Sequence, residues 1–498
     1  MAHNLAQALL SEDRLARYAD HAAIVCDNRV ISYSELAVMS RVAGDTLLRH
    51  AGRPGVRVIV RGRDTEVLVA VILGAMMAGL VPVILSPRTT EDDLRYVADE
   101  TAAALLVEDD DLGISPIPLP RLSMAGLAAD RATASEDIGA SSDPDSKEAF
   151  WLYSSGTTGR MKGVIHAHHD LAPVLVFHEN CLNLGPEVRT FCTSRISFAY
   201  AMSNALLAPL ALGATVVLHP EWPTAGSTLA AIEAVRPQVV FAVPSMYRAW
   251  LDLPAEALAP MALVRRFVSA GEHLPVPVAE RWRAITRQAI LDCHGTSETC
   301  FLVFASSPDR PKAGSVGFPC PGVETELRDE ADGPAPAGAA GRLFIRHPFL
   351  ALGYGPFAPA EVQARFQNGW FATGDVFRCD DDGHWHHYGR EDDWLKIAGQ
   401  WVSLHGVEEA AAACAGVEQA VGVTANDANG FLRVALFVVP AADADDRALP
   451  ERLETFLNER LPAFKRPKWL RVVDDLPRTS TGKVKKADLR RMIEVEVA

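Results

Sequence analysis

Short runs of apolar residues alternate with longer amphipathic stretches along the first half of the chain. RVIVRG at 57–62, VPVIL at 81–85 and ALLVEDD at 104–110 have the length of buried strands, and EDDLRYVADETAA at 91–103 has helical spacing. The same order returns at ATVVL, STLAAIEAVRP and VVFAVP between residues 214 and 244, where Pro237 ends the helix. This alternation of strand-like and helix-like stretches predicts parallel strands covered by helices, in stacked α/β layers.

One apolar stretch also raises the possibility of a membrane span. Val67–Leu85 contains 19 consecutive uncharged residues, close to the roughly 20 that cross a bilayer. Gly74, Gly79 and Pro82 interrupt it. A strand that is covered on both faces is apolar throughout. We therefore predict a buried helix to about Ala78, a turn and a short parallel strand at 81–85, with no membrane insertion.

The pattern changes twice in the second half. Ala331–Gly341 is rich in Gly and Pro, as in a loop, and the alternating stretch GRLFIRHP that follows predicts an antiparallel strand in a second, smaller sheet. After Gly389, strand-like stretches such as FLRVALFVVP alternate with helical ones such as LPERLETFLNERLP. These stretches predict a compact α+β domain of about a hundred residues at the C-terminal end.

Charge and cysteine content narrow the class of protein. The chain has 498 residues, 63 acidic and 48 basic side chains and a formal charge of −15, so it lacks the basic field that non-specific nucleic-acid binding requires. Its eight cysteines form no CxxC pair, which argues against a zinc site and a disulfide framework. The N-terminal residues lack the apolar core and cleavage site of a secretory signal. We expect a cytoplasmic protein with reduced thiols.

The segment Trp151–Gly163, WLYSSGTTGRMKG, carries the clearest chemistry. Backbone N–H groups and hydroxyls of such a loop can surround phosphate oxygens, while a lysine supplies a positive charge. The spacing GxxGxxK differs from the Walker loop GxxxxGK[ST]. A Ser/Gly surface loop is the alternative. The candidate phosphate-binding residues are Ser154, Ser155, Gly156, Thr157, Thr158, Gly159 and Lys162.

Within this segment, SSGTTGRMKG at Ser154–Gly163 resembles the phosphate-binding signature of the acyl-adenylate-forming superfamily, which includes acyl- and aryl-CoA ligases, amino-acid adenylation domains and luciferases. Five further motifs follow in the family's order: SAGEHLP at Ser269–Pro275, HGTSET at His294–Thr299, GWFATGD at Gly369–Asp375, GREDDWLKIAGQWVS at Gly389–Ser403 and PRTSTGKVKK at Pro477–Lys486. The resemblance implies a large N-terminal domain (1–391) of layered α/β subdomains plus a β-barrel-like subdomain. A small mobile α+β domain (392–498) would follow it.

The resemblance also implies the reaction. A carboxylate attacks the α-phosphate of ATP to give acyl-AMP and pyrophosphate, and a thiol, here CoA, then displaces AMP. Mg²⁺ offsets charge on the phosphate oxygens. The implied roles are phosphate binding by Thr157, Thr158 and Lys162; Mg²⁺ binding by Glu298; and ribose binding by Asp375 and Arg390. The adenine site would be lined by Gly271, Glu272, Asp292 and His294, with further ATP or AMP contacts from Gly295, Thr296 and Ser297.

The C-terminal motifs imply a lysine and a hinge. Lys483 matches the lysine that reaches into the adenylation site, where an ammonium suits two oxyanions that repel one another. Asp392 matches the position about which the small domain rotates between half-reactions, and Lys396 and Gly399 would then line the thiol entrance. The alternatives are a solvated basic tail and an interdomain salt bridge.

Benzoate-type aryl-CoA ligases are the most similar group. The resemblance rests on Ile196–Leu218, ILDCHGTSET and GQWVS, and it implies an acyl pocket built from Phe198, Ala199, Tyr200 and Phe301. Aromatic rings there can pack on a flat substrate, although core aromatics at a helix start are the alternative. Phe301 stands where benzoate-CoA ligases carry a histidine, so the pocket would suit an unsubstituted, differently substituted or aliphatic acid.

Two alternative functions are a stand-alone adenylation enzyme and a non-enzymatic pseudoenzyme. A stand-alone adenylation enzyme would load the acid onto the phosphopantetheine thiol of an acyl or aryl carrier protein, and it would share every motif above. A non-enzymatic acyl-AMP-binding pseudoenzyme would be expected to lack Lys483, Glu298 or Asp375, yet all three are present. The histidine clusters HAHHD at 166–170 and GHWHHYG at 383–389 lack zinc-protease spacing, and we interpret them as local structure.

Overall fold

The structure of the protein is a computed structural model. It describes residues 4–113, 115, 117–129, 147–155, 160–329, 331–397, 400–427, 431–441, 448–477 and 484–497. The strands are β1 (Ala22–Cys26), β2 (Arg29–Ser32), β3 (Arg57–Arg61), β4 (Val81–Leu85), β5 (Leu105–Glu108), β6 (Arg121–Ser123), β7 (Glu148–Ser155), β8 (Met161–Ala167), β9 (Arg189–Cys192), β10 (Thr215–Leu218), β11 (Val239–Ala242), β12 (Arg266–Ser269), β13 (Ile290–Gly295), β14 (Leu302–Ala305), β15 (Phe318–Pro319), β16 (Glu324–Arg328), β17 (Gly341–Arg346), β18 (Gly353–Tyr354), β19 (Phe366–Gln367), β20 (Trp370–Cys379), β21 (Trp385–Arg390), β22 (Trp394–Ile397), β23 (Gln400–Ser403), β24 (Val417–Asn426), β25 (Leu432–Pro440) and β26 (Trp469–Val472).

Helices cover the sheets and connect most of the parallel strands. They are α1 (Leu5–Leu9), α2 (Glu12–Tyr18), α3 (Tyr33–Ala51), α4 (Glu66–Met77), α5 (Glu91–Thr101), α6 (Met124–Ala129), α7 (Ala172–Asn180), α8 (Ala199–Ala201), α9 (Ala208–Ala211), α10 (Ala225–Val235), α11 (Pro244–Leu251), α12 (Val276–Thr286), α13 (Ala360–Gln363), α14 (Leu404–Ala412), α15 (Leu449–Arg460) and α16 (Lys486–Val497). A π-helical turn, Met202–Leu207, joins α8 to α9.

The chain divides into two compact units. The first holds the residues up to Thr325 together with Ile345–Phe371 and Asp381–Trp385, and the second holds Glu326–Phe344, Ala372–Asp380 and the residues from His386 onward. The mixed α/β fold with a large N-terminal part and a small C-terminal α+β part is thus confirmed. The boundary between residues 391 and 392 stays a prediction.

Two sheets organise the first unit. A nine-stranded sheet has the order β15-β14-β13-β12-β11-β9-β10-β1-β2, and its strands from β13 to β1 run parallel. A seven-stranded sheet has the order β18-β8-β7-β4-β3-β5-β6, in which β8 runs antiparallel to both of its neighbours, β7 and β18. The predicted strand–helix–strand order is confirmed in both sheets.

The apolar stretch 67–85 folds as predicted. It forms helix α4, whose N-terminus is capped by the Thr65 side chain, and strand β4, which is fully buried and pairs in parallel with β3. Within the described residues, no helix has both the length and the apolar character needed to cross a membrane. Residues of α4 share one core with Ile196, Met202 and Phe301, so the main core extends to the segments that the sequence assigns to the acyl pocket.

The second unit contains a three-stranded sheet with helices on both faces. Strand β25 alternates: Val434, Leu436 and Val438 contribute to a core with α14 and α15, whereas Ala435 and Phe437 pack with Leu489 and Ile493 of α16. This period of two is that of a strand covered on both sides. A further sheet, in the order β16-β17-β20-β19 with β21 beside β20, contains the strand predicted at GRLFIRHP, and β22 pairs with β23 in a two-stranded sheet.

Candidate functional site

Strands β7 and β8 flank the candidate phosphate-binding loop. Gly156, Thr157, Thr158 and Gly159 lie outside the described residues, as does the side chain of Ser155. On the flanking strands, Ser154 pairs directly with Lys162 in the antiparallel register. Lys162 is only 8 % exposed. The structure therefore brings together a hydroxyl-bearing residue and the lysine that the sequence assigned to phosphate.

Glu298 lies in a tight turn after β13. Thr296 and Thr299 exchange hydrogen bonds between backbone N–H groups and hydroxyls at 3.2 and 3.3 Å, which holds the turn. The half-buried Glu298 accepts a 2.6 Å hydrogen bond at Oε1 from the Tyr354 hydroxyl. The ring of His166 on β8 lies 3.0 Å from the Ser297 carbonyl oxygen. The turn is thus adjacent to the strand that leaves the phosphate loop.

Mg²⁺ fits this arrangement. Proteins usually hold this ion through one or two carboxylates together with substrate phosphates. Glu298 supplies one hard oxygen donor, already oriented by a hydroxyl, beside a strand that continues from the phosphate loop. The donor set is therefore of the kind that Mg²⁺ prefers.

The predicted adenine-binding residues lie at the carboxyl edge of the nine-stranded sheet. Gly271 follows β12 with φ +88°, a left-handed conformation that favours glycine. Glu272 accepts hydrogen bonds from the N–H and the hydroxyl of Ser245 at 3.1 and 3.2 Å. Asp292 on β13 pairs with Ser269 on β12, and burial raises the pKa of Asp292 well above its usual value. The half-buried His294 and Gly295 end β13.

Two buried hydroxyls at this edge have no hydrogen-bond partner within the described part of the chain. They belong to Thr193, directly after β9, and to Ser269, at the end of β12, which are 6 % and 0 % exposed. Buried polar atoms are nearly always hydrogen-bonded, so we expect each of these hydroxyls to bond a ligand or a water molecule. Ligands of open α/β sheets bind at the carboxyl ends of the parallel strands.

The predicted acyl-pocket residues converge on the same region. The Tyr200 hydroxyl donates to the Val268 carbonyl of β12 at 3.0 Å, and the Cys300 thiol lies 3.9 Å from the Ala199 carbonyl oxygen. Phe198 is half-buried and immediately precedes α8. Phe301 is 1 % exposed. Its ring meets Phe349 edge-on at 5.0 Å. The wall segment therefore lies between the end of β12 and the turn that carries Glu298.

Asp375 and Arg390 meet in the second unit. Asp375 on β20 is buried and accepts a 2.9 Å hydrogen bond at Oδ1 from Arg390 Nη1, while His387 Nε2 lies 3.3 Å from the same oxygen. The Asp375 N–H donates to the Thr373 hydroxyl at 3.0 Å. The carboxylate is thereby held by a cation, and the backbone of the same residue is held by the Thr373 hydroxyl.

The remaining predicted residues are described only in part. Lys483 and Gly399 lie outside the described residues, and for Asp392 and Lys396 only the backbone is described, in a short 3₁₀ turn and in β22. Lys486, three residues after Lys483, has its Nζ 3.0 Å from Asp393 Oδ1 and 3.3 Å from Glu408 Oε1. The end of this motif is therefore ion-paired rather than a freely solvated tail.

The histidine clusters make local contacts. Hydrogen bonds join the rings of His168 and His169 to the Leu5 N–H and the Leu350 carbonyl, as His166 bonds Ser297. Burial lowers the pKa of His166 to about 3 and that of His168 to about 4, so both are neutral at physiological pH. His386 lies 2.8 Å from Asp380. The cysteines carry free thiols.

Sequence reasoning missed Tyr354, which contacts Glu298 from 56 residues away. The only signal in the sequence is the tripeptide GYG at 353–355, in which two glycines let the backbone approach closely. It also missed Glu100, which accepts a 2.6 Å hydrogen bond from the Tyr153 hydroxyl next to Ser154. A lone glutamate near the end of an amphipathic helix gives no such signal.

The chain matches a known enzyme family over most of its length. Residues 11–355 match the AMP-binding enzyme family, and residues 406–483 match the AMP-binding enzyme C-terminal domain. The chain is 34% identical to a 3-hydroxybenzoate–CoA ligase of Aromatoleum sp. (strain CIB), over 99% of this chain and 97% of that protein.

Two solved structures are similar over nearly the whole chain. A benzoate CoA ligase from Burkholderia xenovorans LB400 superposes with a TM-score of 0.87 at 30% identity, covering 98% of this chain and 100% of that one. The anthranilate CoA ligase AuaEII, in complex with anthranoyl-AMP, gives a TM-score of 0.90 at 26% identity, covering 99% and 97%.

Proposed function

This chain belongs to the AMP-binding enzyme family, and from that premise we propose that it ligates an aromatic, benzoate-like carboxylic acid to CoA in two steps. The acid is first activated as acyl-AMP with release of pyrophosphate, and the acyl group is then transferred to the thiol. The observation that carries this proposal is full-length similarity to hydroxybenzoate– and benzoate–CoA ligases, at 34% and 33% identity.

In the first step a carboxylate oxygen attacks the α-phosphorus of ATP, and the bond to the pyrophosphate oxygen breaks. Every reacting group is anionic, so the chain must supply positive charge and N–H or O–H donors. Lys162, with Ser154 opposite it, holds the phosphates together with the loop 156–159. Lys483 bridges the attacking carboxylate and the α-phosphate.

Mg²⁺ would be held by Glu298 together with the ATP phosphates, and when bound it offsets negative charge on the phosphate oxygens. The contribution of the chain is to orient the Glu298 carboxylate, which it does through the Tyr354 hydroxyl. An ionised carboxylate with one oxygen already bonded has fewer orientations to lose when it binds a ligand.

The nucleoside is held by two groups of residues. Asp375 accepts hydrogen bonds from the ribose hydroxyls, and Arg390 holds that carboxylate in place. The adenine lies at the carboxyl edge of the nine-stranded sheet, against Gly271, Glu272, Asp292 and His294. The buried hydroxyls of Thr193 and Ser269 at that edge can form hydrogen bonds with a nucleotide or an acyl group.

In the second step the thiolate of CoA attacks the acyl carbon, and AMP leaves with the bond electrons. Rotation about Asp392 would remove Lys483 and bring the loop with Lys396 and Gly399 to the thiol entrance. The domain limits 1–391 and 392–498 express this hinge and belong to the proposal. We also place the reaction in the cytoplasm, where free thiols are the norm.

The acid is benzoate-like because aromatic and small side chains surround its proposed position. Phe301, Tyr200 and Phe198 offer rings to a planar substrate, and Ala199 leaves room beside them. Phe301 lies against Phe349 and gives this side of the pocket no polar contact. A benzoate without a polar group on that side is therefore the preferred acid.

Pyrophosphate exchange over a panel of benzoates, heteroaryl acids and short fatty acids tests the proposal. Exchange with benzoates supports it, exchange with fatty acids alone removes the aryl assignment, and exchange with none refutes acid activation. Parallel thioester assays with CoA and with a carrier protein identify the thiol.

Lys483→Ala provides a second test. The variant should lose acyl-AMP formation by a large factor yet convert supplied acyl-AMP to thioester at a rate close to that of the unmodified protein. Equal losses in both half-reactions would contradict the role given to Lys483.

A further inference from the structure

We propose that Tyr354 is a positioning residue for the adenylation step. Its segment, residues 351–357, fixes the carboxylate of Glu298 and also braces strands β7 and β8 on either side of the phosphate-binding loop. This inference rests on the proposed function, because it assigns a task to residues around the ATP site. It concerns Tyr354, Glu100 and Tyr153, none of which the family motifs discussed above include.

The 351–357 segment holds Glu298 at two points. The Ala351 N–H donates to the Glu298 carbonyl oxygen at 2.8 Å, and the Tyr354 hydroxyl donates to Glu298 Oε1 at 2.6 Å. A hydroxyl–carboxylate bond of this length is charge-assisted and roughly twice as strong as a neutral one. Backbone and side chain of the same glutamate are thus fixed by one short stretch of chain.

The tyrosine itself has little freedom. It is 5 % exposed, its backbone pairs with Val164 of β8, and its ring lies 5.3 Å from that of Phe366 in an edge-on contact. A donor held in this way can select one orientation of the carboxylate. A water molecule in the same place would not select one orientation, because it would reorient together with the carboxylate.

The same segment reaches both strands next to the phosphate loop. The Gly355 N–H donates to the Gly163 carbonyl of β8 at 2.8 Å, directly after Lys162. The Phe357 N–H donates to Glu100 Oε1 at 3.1 Å. The other oxygen of Glu100 accepts a 2.6 Å bond from the hydroxyl of Tyr153, which directly precedes Ser154.

Glu100 is therefore the link between the segment and β7. It is 5 % exposed, and burial raises its pKa. Gly355 permits the close approach, because a Cβ there would lie 2.5 Å from Glu100 Oε1 and 2.9 Å from Trp151. One segment thus ties the metal-binding candidate Glu298 to the strand before the phosphate loop and to the strand after it.

The test is calorimetric titration with ATP in the absence of acid, once with excess Mg²⁺ and once with EDTA. Tyr354→Phe removes only the hydroxyl that orients Glu298, and we expect the affinity for MgATP to fall about tenfold, as is usual when a residue that orients a metal ligand is removed. The affinity for metal-free ATP should stay within about twofold of that of the unmodified protein, because this bond acts on the carboxylate alone.

Tyr33→Phe is the matched control. It also removes a buried hydroxyl that donates a hydrogen bond, 2.8 Å long, but the acceptor is the Ala214 carbonyl, outside the proposed site. If Tyr354→Phe changes MgATP affinity no more than Tyr33→Phe does, the positioning role is refuted. The same holds if the MgATP and metal-free affinities fall equally, since that pattern indicates a general loss of structure.

Tyr153→Phe tests the second arm of the proposal. Loss of its bond to Glu100 frees the strand before the phosphate loop, so binding of both MgATP and metal-free ATP should weaken severalfold, and unchanged binding would refute the brace. Failure of the proposed function would look different: the unmodified protein would then show no acid-dependent pyrophosphate exchange. If the unmodified protein exchanges pyrophosphate and the variants bind ATP normally, only the positioning inference fails.

Discussion

Asp375→Asn separates a role in ATP binding from a contribution to the fold. The substitution keeps the size of the side chain and removes its charge, while Asp375 is buried and bonded to Arg390 at 2.9 Å. A second pair in the same unit provides the control. Asp427 lies 3.1 Å from Arg433, with side-chain exposures of 6% and 34% against 4% and 36% for Asp375 and Arg390. Asp427→Asn therefore removes an equivalent ion pair that no motif assigns to ATP.

The expected magnitude follows from the bonds involved. A hydrogen bond to a charged group contributes about 1.5–3 kcal/mol and one between neutral groups about 0.5–1.5 kcal/mol. Two ribose hydroxyls that donate to an amide instead of a carboxylate therefore lose about 2–3 kcal/mol together. This loss corresponds to roughly 30- to 150-fold weaker binding of ATP. Both variants should lose a similar, smaller amount of folding stability with their ion pairs.

Calorimetric titration with ATP and with 2′,3′-dideoxyATP measures the effect. The unmodified protein and Asp427→Asn should prefer ATP over the dideoxy nucleotide, whereas Asp375→Asn should bind ATP weakly and prefer it by a clearly smaller factor, because the amide oxygen still accepts weaker hydrogen bonds from the ribose. Thermal unfolding of both variants controls for stability. The reasoning is wrong if Asp375→Asn binds ATP as tightly as Asp427→Asn does, or if it keeps the full preference for ATP.

Two further predictions concern stability. Gly355→Ala should lower the free energy of unfolding by about 1–3 kcal/mol, because the new Cβ overlaps Glu100 Oε1, whereas Gly185→Ala, where no atom lies within 4 Å, should change it little; equal denaturation midpoints would contradict this. Burial lowers the pKa of His405, but the carboxylates of Glu408 and Glu409 raise it more, to about 9 from 6.5. This stabilisation, about 3 kcal/mol, is complete below pH 6.5 and is lost as the pH rises through 9. His405→Gln should therefore flatten the fall in thermal midpoint over that range, and parallel curves for the two proteins would refute the coupling.

Much of the fold was predictable because its determinants are local. Continuous apolar runs gave the buried strands β3, β4 and β5, and helical spacing gave α5 between them. The apolar stretch 67–85 was interpreted correctly because a proline and two glycines fit a helix, a turn and a strand better than one long helix. The first strands β1 and β2, the long helix α3 and the π-helical turn were not predicted, since none carries a motif and a π-helical turn has no distinctive periodicity.

The candidate site was also predictable only in part. Ser154 and Lys162 pair on strands that lie close together in the sequence, and the meeting of Asp375 with Arg390 was implied by the ribose-binding role that the resemblance gives to both. The contacts of Tyr354 with Glu298 and of Glu100 with Tyr153 join residues 56 and 53 positions apart, from different elements. No periodicity or motif in the sequence links those residues.

The sequence by itself determined the family and much of the order of the strands and helices, because propensity, periodicity and motif spacing act over a few residues at a time. Only the tertiary structure decided which distant side chains orient the reactive ones. That choice depends on sheet order and on the return of the 351–357 segment alongside β8, which brings Tyr354, Glu298 and Glu100 within reach of one another. Such contacts form when the chain closes long loops and packs its sheets, and so they become visible only in the folded molecule.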